Sequence, residues 1–306
     1  MPGKSRWSRG DQGEAGRKLE KAREMDDEKN EPEERLESFA SPAGGRILCR
    51  IRGQGPGLVL LGGANSSAEH YTPLAKELAG RYTVYNVERR GRPGSAPQGP
   101  DYSLIQEASD AAAILAATGA RLLFGHSGGA IAALETALAA SGQAGQLLDR
   151  LALYEPPFEV RTDWLREFEE LLAAGRYVEA QVSAMTGIGA SPLVARVDRE
   201  RLQKVFAAYY RGERQEELLW LLRPLAAEIR AVKAASDCPE RYERVETPTL
   251  LLWGSASEER LRRGARAYAK ILPNCRDLCL EELDHGSPRT RPAVVARELA
   301  AFFEGG

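Results

Sequence analysis

The sequence predicts an α/β fold: a mostly parallel sheet flanked by helices, with a helical insertion. Three observations predict it. From Leu58 onward short apolar runs alternate with helical periodicity, as expected of strands buried on both faces and joined by crossover helices. Between Tyr154 and Thr249 helical periodicity continues without a strand of comparable strength, which marks an insertion. Gly125-His126-Ser127-Gly128-Gly129 fits G-x-S-x-G and lies between the apolar runs Arg121-Leu122-Leu123-Phe124 and Ala130-Ile131-Ala132-Ala133-Leu134. A serine on such a sharp strand-to-helix turn needs glycines two residues to either side, because the crowded backbone leaves no space for a Cβ.

The elements follow in order. Residues 1–35 mix Lys, Arg, Glu and Asp with few apolar positions, a composition too poor in burial to offset ordering entropy. The expectation is a disordered arm, or a frayed helix over Arg17–Glu28. Leu36–Phe39 and Ile47–Ile51 flank a turn at Ala43-Gly44-Gly45 as a β-hairpin. Leu58–Leu61 is a buried strand, followed by a helix with Tyr71, Leu74 and Leu78 on one face and Gly80 as its stop. Val84–Val87 is the next strand. Ser103 and Gln106 suit a capping box for a helix carrying Leu104, Ala108, Ala111 and Leu115 that closes at Gly119. The strand before Ser127 comes next, then Leu151–Tyr154, which ends at Glu155-Pro156-Pro157.

Within the insertion, Trp164, Leu165, Phe168, Leu171 and Leu172 mark one helix, and Leu202, Val205, Phe206 and Tyr209 a second. Leu218, Leu221, Leu225 and Ile229 mark a third that Pro224 should kink. The core resumes with the strand Thr249–Trp253, a helix bearing Leu261, Ala265, Tyr268 and Leu272, the strand Leu278–Leu280, and a last helix through Val294, Val295, Leu299 and Phe302.

Composition narrows the function. A chain of 306 residues suits one large domain with an insertion, and a net charge of −2 gives no electrostatic case for nucleic acid or an anionic membrane. No apolar run approaches the roughly 18 residues of a membrane span. The expectation is a cytoplasmic protein, monomer or homodimer, acting on a small molecule. Cys49, Cys238, Cys275 and Cys279 are scattered, and buried thiols fit them better than disulfides or a metal site. Cys275 and Cys279 have only His285 nearby, which argues against zinc.

With these motifs in this order, the chain resembles an α/β-hydrolase from about Leu36 to Phe303. The serine turn resembles that family's nucleophile elbow. Glu88-Arg89-Arg90-Gly91-Arg92-Pro93-Gly94-Ser95 is similar to the arginine-rich turn after its fourth strand, and Asp284-His285-Gly286 follows the last strand, where the family keeps its catalytic histidine. Leu153-Tyr154-Glu155-Pro156-Pro157 resembles the segment where small members leave the core for a cap. The implied domains are a core of residues 36–157 and 246–306 and a helical cap of 158–245. Arg89, Arg90 and Arg92 read as a solvated loop rather than an anion site, since the turn belongs to the fold.

The chemistry needs four roles. Ser127 would attack a carbonyl carbon, and a base must take its proton. Of the three histidines, His285 fits that role, because His70 lies on a core helix and His126 points away from its neighbour. The N–H of Gly128 would hold an oxyanion, and the resemblance assigns the second donor to Ala64 in Gly62-Gly63-Ala64-Asn65. Gly62 replaces the family's usual histidine there, which puts the rigidity of that loop in question. The resemblance also implies an Asp shortly after Gly254, where this chain reads Ser255-Ala256-Ser257-Glu258-Glu259. Glu155 is the candidate for the missing carboxylate, because some members place the acid at the end of the preceding strand, and Glu258 is the alternative; Asp284 is too near His285 to reach its ring. Both remain open, since Glu155 could instead order the turn into Pro156 and Glu258 could complement a helix dipole.

The cap aromatics and Met, namely Trp164, Phe168, Met185, Phe206, Tyr209, Tyr210 and Trp220, read mostly as helix core, with a few roofing the site. The expected function is a serine hydrolase cleaving an ester or lactone of a small hydrophobic substrate through an acyl-enzyme, without cofactor or metal. C–C bond hydrolysis or acyl transfer on the same triad, or an idle ligand-binding member, are the alternatives.

Overall fold

Strands β1 (Arg35–Ala40) and β2 (Arg46–Arg52) form an antiparallel hairpin, and β2 alternates exposed and buried positions as a strand with one face on the core does. This is a computed structural model, and it describes residues 33–141, 147–189, 194, 196–212 and 214–305. The expected N-terminal arm lies outside the described residues up to position 32, as does the helix considered for Arg17–Glu28. β3 (Gly57–Leu61), β4 (Thr83–Val87), β5 (Leu122–His126), β6 (Arg150–Tyr154) and β7 (Thr249–Gly254) are buried along nearly their whole length, and β8 (Cys275–Leu280) closes the far edge. The order is β1-β2-β4-β3-β5-β6-β7-β8, with β2 antiparallel to β4 and every later pair parallel.

Helices cover both faces. α1 (Thr72–Ala79) lies on one face, where Leu58, Leu60 and Phe124 of the sheet pack with Leu74, Leu78, Val295 and Leu299. On the other, Val59, Leu123, Leu151 and Leu251 meet residues of α2 (Leu104–Thr118) and α3 (Gly128–Ala140), including Ile114 and Ile131. α2 ends at Gly119, whose φ of 70° is the left-handed C-cap conformation that glycine adopts without strain. The capping box expected at its start does not form: the Ser103 carbonyl, not its hydroxyl, accepts the Gln106 N–H at 3.2 Å.

Between β6 and β7 come α4 (Leu165–Ala173), α5 (Tyr177–Ile188), α6 (Arg199–Tyr209), α7 (Arg214–Leu222) and α8 (Leu225–Ser236). Trp164, Phe168, Tyr210, Leu222 and Leu225 form a hydrophobic cluster of their own. Pro224 does not merely kink one helix but separates α7 from α8, standing at the N-cap of α8. α5 escapes the sequence reading because its buried side is small and partly polar, with Ala180, Gln181, Val182, Ser183 and Ala184 all inside. α9 (Glu259–Ile271), α10 (Ser287–Thr290) and α11 (Pro292–Phe303) complete the chain.

Two expectations are corrected here. The arginine-rich turn after β4 is not solvated: Arg89, Arg90 and Arg92 are at most 4% exposed. Arg89 pairs with Glu107 at 2.7 Å, Arg90 with Asp110 at 2.5 Å, and Arg92 with Glu228 of α8. Burial of these cations is tolerated because each meets a carboxylate brought in by another helix. The cysteines also diverge: all four are free, but only Cys49 is buried, while Cys275 and Cys279 are half-buried and Cys238 is exposed.

Candidate active site

Parallel strands deliver their carboxyl ends to one edge of the sheet, and β5 and β6 are in register with His126 opposite Tyr154. Ser127 and Glu155 are therefore the first residues past the ends of neighbouring strands. Both have positive φ, 55° and 46°, a region non-glycine residues rarely enter. The Ser127 turn is tight. A Cβ on Gly125 would lie 2.5 Å from the Gly129 carbonyl oxygen, and one on Gly129 would lie 2.4 Å from that of Gly62.

Glu155 is fully buried and saturated with donors. Its Oε1 accepts the Gly254 N–H at 2.8 Å and the Ser257 hydroxyl at 2.5 Å, and its Oε2 meets His285 Nδ1 at 2.7 Å. A carboxylate at Nδ1 assigns the proton to that nitrogen and leaves the Nε2 lone pair for chemistry. Glu258 is elsewhere: it stands at the N-cap of α9 beside Gly189, and it makes no bond to His285. Asp284 turns back on the chain, accepting the Gly286 N–H at 2.9 Å. His285 and Ser127 line one cavity of about 340 Å³, and the Ser127 hydroxyl holds no hydrogen bond among the described residues.

Opposite the serine, Gly62-Gly63-Ala64-Asn65 follows β3, and Gly63 sits so close that a Cβ there would be 3.2 Å from the Ser127 Cβ. The Ala64 N–H has no acceptor among the described residues, and a Cβ on Gly128 would lie 3.5 Å from that nitrogen. Thus the Ala64 N–H and the first N–H of α3 are both left unmatched beside Ser127. The loop is tied down without the histidine that Gly62 replaces. Gly63 N–H donates to the Tyr71 hydroxyl at 2.8 Å, Ser66 donates to the Gly63 carbonyl at 2.6 Å, and Arg89 donates to the Gly62 carbonyl at 3.1 Å. Tyr71 in turn lies 2.6 Å from His126 Nδ1. His126 is buried between the rings of Tyr71, Tyr154 and His285, and burial, reinforced by His285 and Arg289, holds its pKa well below the usual imidazole value.

The cavity wall is mainly apolar. Trp164, Met185, Phe206, Tyr209 and Tyr210 line it, whereas Phe168 and Trp220 do not. Asn65 and Gln181 supply polar groups, their side chains joined at 3.2 Å.

A family model, described as the alpha/beta hydrolase family, matches residues 58–298. The chain belongs to the alpha/beta hydrolase family. Among solved structures, an alpha/beta hydrolase from Sphaerobacter thermophilus is 30% identical, with a TM-score of 0.70 over 86% of this chain and 100% of that one. A thermophilic esterase from Thermogutta terrifontis is 18% identical, with a TM-score of 0.68 over 88% of this chain and 98% of that one. An enol-lactonase from Burkholderia xenovorans is also 18% identical, with a TM-score of 0.65 over 88% of this chain and 100% of that one. No curated protein matches the sequence. In this hydrolase no group of three or more His, Cys, Asp or Glu is placed to hold a metal ion among the described residues, and none of their helices is long and apolar enough to cross a membrane.

Three residues at this site of the hydrolase are given no role by the sequence. Ser257 stands where the family pattern puts its Asp, and donates to the carboxylate that reaches His285; a hydroxyl at that position was the available signal. Tyr71 carried only a core signal, though its hydroxyl faces the loop. Arg289, on α10 four residues past His285, lines the cavity and gave no signal at all.

Proposed function

We propose that this hydrolase is a serine hydrolase that cleaves an ester or lactone of a small hydrophobic substrate through an acyl-enzyme. The observation that carries the reading is the 2.7 Å hydrogen bond from His285 Nδ1 to Glu155, one strand away from a serine at positive φ in the same cavity. In the proposed sequence, Ser127 Oγ rotates toward His285 Nε2, gives it its proton and bonds to the carbonyl carbon. The oxyanion so formed accepts from the N–H groups of Ala64 and Gly128. The imidazolium, steadied by the Glu155 carboxylate, then protonates the departing alkoxide; water, deprotonated by the same nitrogen, releases the acid and restores Ser127. No cofactor enters these steps.

Residues 158–245 form the proposed cap, and its aromatic lining suits an apolar substrate part. Stoichiometric labelling of Ser127 by an organophosphorus probe tests the reading. Labelling that fails in the native protein while the fold is intact would remove Ser127 as nucleophile.

A further inference from the structure

Three arginines line the cavity, and no Asp or Glu does. Two of the three are engaged. Arg161 pairs with Asp163 at 2.6 Å, and Arg260 donates to the carbonyls of Glu159 and Ile188 at 2.9 and 2.7 Å. Arg289 differs: among the described residues its guanidinium has neither ion pair nor hydrogen bond, and its Nε is buried and unmatched. The carboxylate of Glu217 lies 3.6 Å from His70 Nε2 and makes no pair with Arg289 among the described residues. Burial is the main cause that lowers the pKa of His70 and of His126, and the charge of Arg289 adds to it in both. A half-buried guanidinium without a partner leaves a desolvation cost that an incoming anion can offset, and its planar fork matches a carboxylate in a bidentate pair.

We infer that Arg289 is a carboxylate-binding residue of this cavity, so that the substrate is an ester or lactone bearing a carboxylate in addition to the bond that is cleaved. This rests on the hydrolase reading of the same cavity and narrows its substrate class. The apolar wall from Trp164 to Tyr210 then accommodates the hydrocarbon part, while the anion sits on the α10 side beyond His285.

The test separates binding from turnover. Titration calorimetry on the full chain compares 4-phenylbutyrate with its neutral isostere 4-phenylbutyramide. The expected result is a preference for the carboxylate of about tenfold or more, lost in Arg289→Gln and partly kept in Arg289→Lys, as removal of a charged hydrogen-bond partner implies. Melting curves of both variants check that the fold persists. Equal affinity for the two probes, no binding of either, or a preference that survives Arg289→Gln overturns the inference. Organophosphorus labelling of Ser127 is run alongside. Labelling without a carboxylate preference sinks the anion site alone, whereas a preference without labelling sinks the Ser127 reading and leaves the anion site standing.

Discussion

At the scale of single residues, the site turns on which carboxylate serves His285. Glu155 accepts three hydrogen bonds including the imidazole, while Glu258 sits at a helix start. Glu155→Gln is expected to preserve the fold and lower kcat by roughly 10²–10⁴, because an amide can hold the wrong tautomer and cannot stabilise the imidazolium. Glu258→Gln should cost less than about tenfold. Kinetics on a p-nitrophenyl ester decide it, and the reverse ranking would return the acid to the loop after β7. Tyr71 offers a second test. Its hydroxyl holds the Gly63 N–H and lies on His126 Nδ1, so Tyr71→Phe leaves two buried groups unmatched, at a cost of roughly 1–3 kcal/mol each at most. If the hydroxyl positions the loop that carries the Ala64 N–H, kcat falls with KM little changed. A purely structural role would lower the urea midpoint and leave kcat per folded molecule intact.

At the scale of elements, α8 is bolted to the turn after β4 by Arg92 and Glu228, both fully buried side chains. Burial, reinforced by the Arg89 charge, depresses the Arg92 pKa to about 10, which still keeps the cation at neutral pH. Glu228→Ala therefore strands a buried charge and should destabilise by about 3–5 kcal/mol, whereas Arg92→Met with Glu228→Leu should recover much of that loss. Urea unfolding of the two variants measures both; a double variant no better than the single one would refute the account. This pair also shows why the sequence misled. The arginines of a turn look solvated when their partners, Glu107, Asp110 and Glu228, stand on helices that the turn's own spacing does not reveal.

At the scale of the whole molecule, the fold was legible because β3 to β7 are buried on both faces and therefore appear as uninterrupted apolar runs. Ser127 and His285 were legible because each belongs to a short local motif. The carboxylate beside His285 could be narrowed only to Glu155 or Glu258, since Glu155 lies 130 positions away and only the packing of β5, β6 and β7 brings it to the imidazole. Glu88, which opens the arginine-rich turn, links the interior to global stability. Burial pushes its pKa up to about 7 from an ordinary 4.5, against the Ala68 N–H and the Arg92 charge, which lower it. Between those values the native chain holds a proton that the unfolded chain has released. Stability should therefore be fully present below 4.5 and decline as pH rises to about 7, by on the order of 3 kcal/mol. Glu88→Gln keeps an acceptor for the Ala68 N–H and should erase this slope. Urea unfolding of both proteins at acidic and neutral pH tests it; a stability difference between them that does not change with pH would count against the proposal.

Ser127 and Glu155 share a backbone setting that glycine alone adopts freely. Each seat stores strain of roughly 1–3 kcal/mol, which the surrounding sheet must hold in place. Selection for heat resistance alone would thus favour glycine at position 127, whereas at 155 the three hydrogen bonds of the buried carboxylate oppose the change. A lineage or laboratory library screened only for survival on heating would tend to lose Ser127, and with it the proposed chemistry, so hydrolysis has to stay in the screen for that side chain to last.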